Sequence, residues 1–189
     1  MKRFIALILA IAIACPLVAC SSSSSSSTSS SSSSATGIIT VTLPASFYSN
    51  KTEAEIKQEA SDLNCISYSI NDDGSVNFSL TDTAYETVLS DIIAEIETIM
   101  EEMIDPDSGV EGFGYIDYTE DFSQFNIYLD PTYYTEYMVM YAYTFMVSGA
   151  YYQTFAGVPQ EDIDVVVRLI DFTTDETLKV GSYKDIIGA

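Results

Sequence analysis

The chain contains no histidine in 189 residues, only seven Lys and Arg against 28 Asp and Glu, and three cysteines. Each scarcity closes off a class of function. Without imidazole there is no Ser-His-Asp triad, no Cys-His pair and no zinc site built on histidine. Not one Lys or Arg occurs between Lys57 and Arg168. Nucleic acids and anionic lipid headgroups are held through those two residues, so no nucleic-acid partner is expected. Cys15 and Cys20 lie in the first twenty residues, which leaves Cys65 alone in the body and unable to close an internal disulfide. It reads as a small buried hydrophobe. Nucleotide loops are missing too: Gly112-Phe113-Gly114 lacks the third glycine and the strand-to-helix context. Two carboxylates suffice to hydrolyse a glycoside, so a hydrolase using paired acids is the one enzyme class the composition leaves as an alternative. The acids single out no pair, and an enzyme is not expected.

What is present begins with Met1-Lys2-Arg3 and the apolar run Phe4 to Ala14, ending in Leu17-Val18-Ala19-Cys20. Such a run is shorter than the roughly 17 to 25 residues that a membrane-spanning helix needs, which makes it the apolar core of an export signal. Leu17-Val18-Ala19-Cys20 resembles the lipobox of bacterial lipoproteins. That resemblance implies that residues 1–19 are a signal peptide that is removed, and that Cys20 is lipidated on sulfur and becomes the first residue. It also implies a bacterial membrane location, on the extracytoplasmic face. One acyl chain binds only marginally and no basic patch follows, so several acyl chains must supply the hold on the bilayer. Residues 20–35 are then the lipidated Cys and a serine-rich tether, a flexible spacer averaging about 20 Å end to end. The body resembles the uncharacterised serine-linker lipoproteins of Gram-positive gut bacteria, which implies display at the cell surface.

Residues 36–189 have the length of one domain. The leader carries two of the seven basic residues and none of the 28 acids, so five positive charges face 28 negative ones after it, a net of −23. With 47% apolar residues, 14 Tyr and 9 Phe, that charge belongs to a folded surface. Ile38 to Leu43 alternates as a strand closed by Pro44, and Thr52 with Glu55 opens a short helix as a capping box. Alternation on both sides of Asn71-Asp72-Asp73-Gly74 predicts a hairpin. Thr83 with Glu86 marks the start of an amphipathic helix that Asp105-Pro106 stops. Gly114 to Leu129 predicts a second hairpin, Asp130-Pro131 starts a helix running to Ala156, and Asp164 to Phe172 is an interior strand with a short return strand after it. The order β-α-β-β-α-β-β-α-β-(β) predicts an α+β fold, a mostly antiparallel sheet with helices packed on one face.

Three features suggest contacts. Outward tyrosines such as Tyr115 and Tyr128 are candidates for a platform that takes a glycan or a peptide, because Tyr orders cheaply and offers a broad apolar face with one hydroxyl. The helix from Pro131 carries no charge after Glu136 and seven tyrosines, which makes it a central buried helix or an oligomer surface. In the loop Asp105 to Gly112, Asp105, Asp107 and Glu111 stand at positions 1, 3 and 7 and resemble the start of an EF-hand, with Ca²⁺ the candidate ion. Glycine at the fifth position and Ile116 at the twelfth depart from that pattern, which favours an acidic connecting loop. No other cofactor is expected.

Overall fold

The computed structural model describes residues 37–187, so the leader, Cys20 and the serine tether lie outside the described residues. The fold is α+β. In chain order it comprises β1 (Ile38–Leu43), α1 (Glu53–Asp62), β2 (Ser67–Ile70), β3 (Val76–Thr81), α2 (Asp82–Ile104), β4 (Phe113–Tyr118), β5 (Gln124–Leu129), α3 (Met138–Phe155), β6 (Val166–Asp171), β7 (Thr177–Ser182) and α4 (Tyr183–Ile187). The strands divide into two sheets where the sequence suggested one, ordered β1-β3-β2 and β4-β5-β6-β7. Every pairing is antiparallel except β5 with β6, which α3 connects as a crossover.

Alternation decides which face each strand buries. Val76, Phe78 and Leu80 of β3 are fully buried, as are Phe125, Ile127 and Leu129 of β5. Each sheet has its own core, and the two long helices belong to both. On α2, Val88 packs into the core of the three-stranded sheet, while Ile96, Met100 and Met103 pack into that of the four-stranded sheet. On α3, Val147 and Phe155 serve the first core, with Tyr151 against it at the same four-residue spacing. Ala142, Phe145, Met146 and Ala150 serve the second. From Phe145 to Phe155 the helix is buried on two flanks and has no exposed face to charge, which accounts for the absence of charged side chains there and for the second sheet: one alone would leave half of this apolar surface in water. Gly149 permits the close fit, since a Cβ there would lie 2.6 Å from the Phe122 carbonyl oxygen and 2.9 Å from a Val165 methyl. Among the described residues no helix is long and apolar enough to cross a membrane.

Local signals set most boundaries. Both arms of the Thr52/Glu55 capping box form, and α2 stops at Asp105 in extended geometry. Its start differs from the Thr83/Glu86 pattern: Thr81 is the cap, its hydroxyl accepting from the Ala84 amide at 3.1 Å. The helix expected from Pro131 is also interrupted. Asp130 caps a single 3-10 turn, Pro131–Tyr133, and Tyr134 leaves helical geometry with ψ 125°, so the α-helix begins only at Met138. Proline in a first turn suits either helix type. Tyr133 packs against Gly112, whose missing Cβ would sit 2.5 Å from the Tyr133 Cβ, and this ties the turn to the start of β4.

The one ion pair among the described residues fastens α1 to the rest. Glu59 is 3% exposed. It accepts from the Lys51 ammonium at 2.7 Å and from the Tyr48 hydroxyl at 3.0 Å. Lys51 also lies 4.8 Å above the Tyr48 ring. Burial first, then the Glu59 charge, raise both the Tyr48 and Tyr151 hydroxyls well above the ordinary tyrosine range. Both stay protonated, and the Tyr48 hydroxyl joins Lys51 as a donor to the Glu59 carboxylate, the partnering that a buried charge requires.

Candidate binding face

Among the described residues the helices cover only the inner face of the four-stranded sheet. On its outer face, strand pairing lines up residues from four segments. One transverse row reads Asp117, Asn126, Arg168 and Val180, and the next reads Tyr115, Tyr128 and Ile170. Inward Phe125, Ile127 and Leu129 force Gln124, Asn126 and Tyr128 outward, because side chains alternate along a strand.

Tyr115 and Tyr128, the two sequence candidates, are direct cross-strand partners. Their rings stack with centroids 4.0 Å apart and planes 12° apart. Instead of lying flat as a platform, they stand side by side, each covering one face of the other. Tyr115 is 48% exposed. A hydrogen bond with Tyr115, then burial and the nearby Asp117 and Asp175 carboxylates, raise the Tyr128 hydroxyl above its ordinary range. The Tyr128 phenol therefore stays neutral at physiological pH and can donate or accept.

Beside the rings runs a chain of planar polar groups. Gln124 Nε2 donates to Asn126 Oδ1 at 3.2 Å, and Asn126 Nδ2 donates to Asp117 Oδ1 at 2.6 Å. Sequence reasoning singled out neither these residues nor Arg168. Alternation with the buried positions of β5 could have named Gln124 and Asn126, but only the parallel register of β5 and β6 brings Arg168 beside them.

The other candidates fare differently. Asp105, Asp107 and Glu111 are exposed and are not brought together. Asp105 Oδ1 accepts from the Asp107 amide at 2.9 Å, and Gly109 turns the chain with φ 78°. The Asp105 carboxylate thus caps a 3-10 turn. Among the described residues no three acid, Cys or His side chains converge on a cation position. Cys65 is half-buried, and burial followed by the Glu59 charge pushes its thiol up to about 11, so it remains protonated. The tyrosines of α3 are spent mainly on the cores. Only its first turns stay open, with Tyr137 at the cap, Met140 and Tyr143 exposed. The Glu95 carboxyl is raised by burial and then by Asp91, yet its Oε1 is buried and has no partner.

Compared with protein-family models, with curated proteins and with solved structures, the chain matches none.

Proposed function

We propose that this protein is a binding module held by lipid on the extracytoplasmic face of a bacterial membrane, and that the outer face of the four-stranded sheet recognises a glycan without turning it over. The lipobox-like Leu17-Val18-Ala19-Cys20 and the serine run support the anchor. One observation carries the glycan: a stacked tyrosine pair stands beside a connected row of amide and carboxylate groups on a sheet face that no helix covers. Sugars offer apolar C–H faces to aromatic rings and hydroxyls to planar hydrogen-bonding groups, and a few placed polar groups beside apolar surface are what fix a ligand's orientation.

The position of the face suits a tether. The Gly37 amide donates to Asp82 at the start of α2, and Tyr85 donates to the Phe155 carbonyl at the end of α3. Gly37, the first described residue, therefore lies at that end of the helical layer. Tyr128 is the last residue but one of β5, near the loop that leads into the start of α3, at the opposite end. The 18 residues of α3 span about 27 Å, so the rings sit far from Gly37. The hydrolase alternative gains nothing from Glu95, whose orphaned oxygen is shut away from any substrate.

The test is a glycan array probed with the detergent-solubilised full chain and with a Tyr115→Ala/Tyr128→Ala double variant. The native chain should bind a restricted set of glycans, with at least tenfold loss in the variant and no sugar released as product. Equal binding by both chains, or release of shortened sugars, would overturn the proposal. Cys20→Ser should shift the protein into the aqueous phase on detergent partitioning, and unchanged partitioning would overturn the anchor.

A further inference from the structure

Arg168 is the only arginine after the leader, and it stands in the middle of the outer sheet face. Across the strands it is flanked by Asn126 and Val180, and along its own strand by Val166 and Ile170. None of these carries a charge. Among the described residues the one ion pair is Lys51 with Glu59, and Arg168 donates no side-chain hydrogen bond. That is unusual in a chain with 28 acids. Asp117 shares its row but lies two strands away, about 10 Å between backbones, and Asn126 already occupies its Oδ1. The fold therefore holds a half-exposed guanidinium in an uncharged frame, diagonally beside the tyrosine pair. A planar fork of N–H donors matches a carboxylate bidentately.

The surroundings limit how many carboxylates can be read. Asp117 and Asp175 lie close to the Tyr128 hydroxyl, and the field of the whole domain repels polyanions. Resting on the glycan-binding role proposed above, we infer that the ligand carries a single carboxylate in the form of one uronic acid residue, whose acid group is clasped by Arg168 while the tyrosine pair packs against the sugar. A polymer of uronic acids would bring further negative charge against Asp117 and Asp175 and is selected against.

The test uses the full chain on an array of oligosaccharides that bear one uronic acid, each printed beside its methyl ester and beside a polyuronate of the same length. The free acid should bind at least tenfold more tightly than its ester, and the polyuronate no better than the ester. Arg168→Gln should abolish the margin between acid and ester, and Arg168→Lys should restore part of the margin. Equal binding of acid and ester by the native chain, or a margin that survives Arg168→Gln, would overturn the single-carboxylate inference and leave the glycan-binding role intact. If no sugar binds, the glycan-binding role falls and the inference falls with it. A peptide carboxyl terminus that binds through Arg168 where every sugar fails would likewise overturn both.

Discussion

The two sheets turn very different faces to solvent. The outer face of the three-stranded sheet is built of small neutral residues in register, Thr40 with Ser79 and Ser67 in one row, Thr42 with Asn77 and Ser69 in the next. The equivalent rows of the four-stranded sheet carry two stacked tyrosines, an acid, an amide and the only arginine of the body. Both sheets bury an alternating apolar face against the same pair of helices. Hydroxyl and amide side chains are thus enough to finish a solvent face of this fold, and rings and a guanidinium on the other face are not demanded by folding. A feature that stability does not require is where function is best sought.

The comparison breaks if the two sheets differ in how firmly they are held. Phe78 and Phe125 are both fully buried, one beneath each face. Replacing either by alanine removes a packed ring and should cost about 3 to 5 kcal/mol. Because α2 and α3 contribute to both cores, both variants should show one shared urea transition by far-ultraviolet and aromatic circular dichroism. Two separate transitions would mean that the decorated sheet is an independent unit, and its face could not then be judged against the other.

How much of this was legible in the sequence follows from the range of each signal. Short-range rules located the hairpin at Asn71 to Gly74, the Thr52/Glu55 cap, the stop at Asp105-Pro106 and the interior character of β6. The division into two sheets was not legible, because alternation says that a strand has a buried face and not which sheet shares it. The absence of charge in α3 carried the clue, since a helix with no polar side must be covered twice. Tyr115 and Tyr128 emerged because one hairpin pairs them. Asn126 and Arg168 meet only through a parallel crossover, a non-local pairing that no window of residues contains. For Asp105, Asp107 and Glu111 spacing alone did not choose between an ion site and the favoured connecting loop: acid spacing in a loop looks the same whether the carboxylates face an ion or cap a turn.

A smaller effect concerns the helical layer that the two sheets share. Burial and the neighbouring Asp91 charge hold the Glu95 carboxyl above the ordinary glutamate range, so the folded chain keeps a proton that the unfolded chain has already lost. Stability contributed by protonated Glu95 is therefore complete below the unfolded value, about 4.3. It declines as pH rises through the raised folded value. Glu95→Gln should flatten that decline and raise stability at neutral pH by less than about 1 kcal/mol, because the side chain is only partly buried and solvent screens it. Asp73, Asp121 and Asp171 act with the opposite sign, their carboxyls lowered chiefly by hydrogen bonds from neighbouring turn residues. Their contribution is lost only as pH falls below the ordinary aspartate value, so the two effects separate in a pH series of urea melts. A Glu95→Gln profile that overlays the native one would show that the orphaned oxygen costs the fold nothing.

The smallest effect belongs to the plain face, and it is the control on which the comparison rests. The Thr42 hydroxyl donates to Asn77 Oδ1 at 2.8 Å across β1 and β3 in an exposed position. Thr42→Val keeps the branched shape that suits a strand and removes only this bond, so the expected loss is about 0.5 kcal/mol, at the low end for a net hydrogen bond because water replaces it. Glycan binding should be unchanged. If Thr42→Val weakened binding as much as Tyr115→Ala/Tyr128→Ala, recognition would not be confined to the ring-bearing face, and the contrast between bare and decorated sheets would no longer identify the site. Unchanged binding with the small stability loss would instead assign recognition to the rows containing Tyr128 and Arg168.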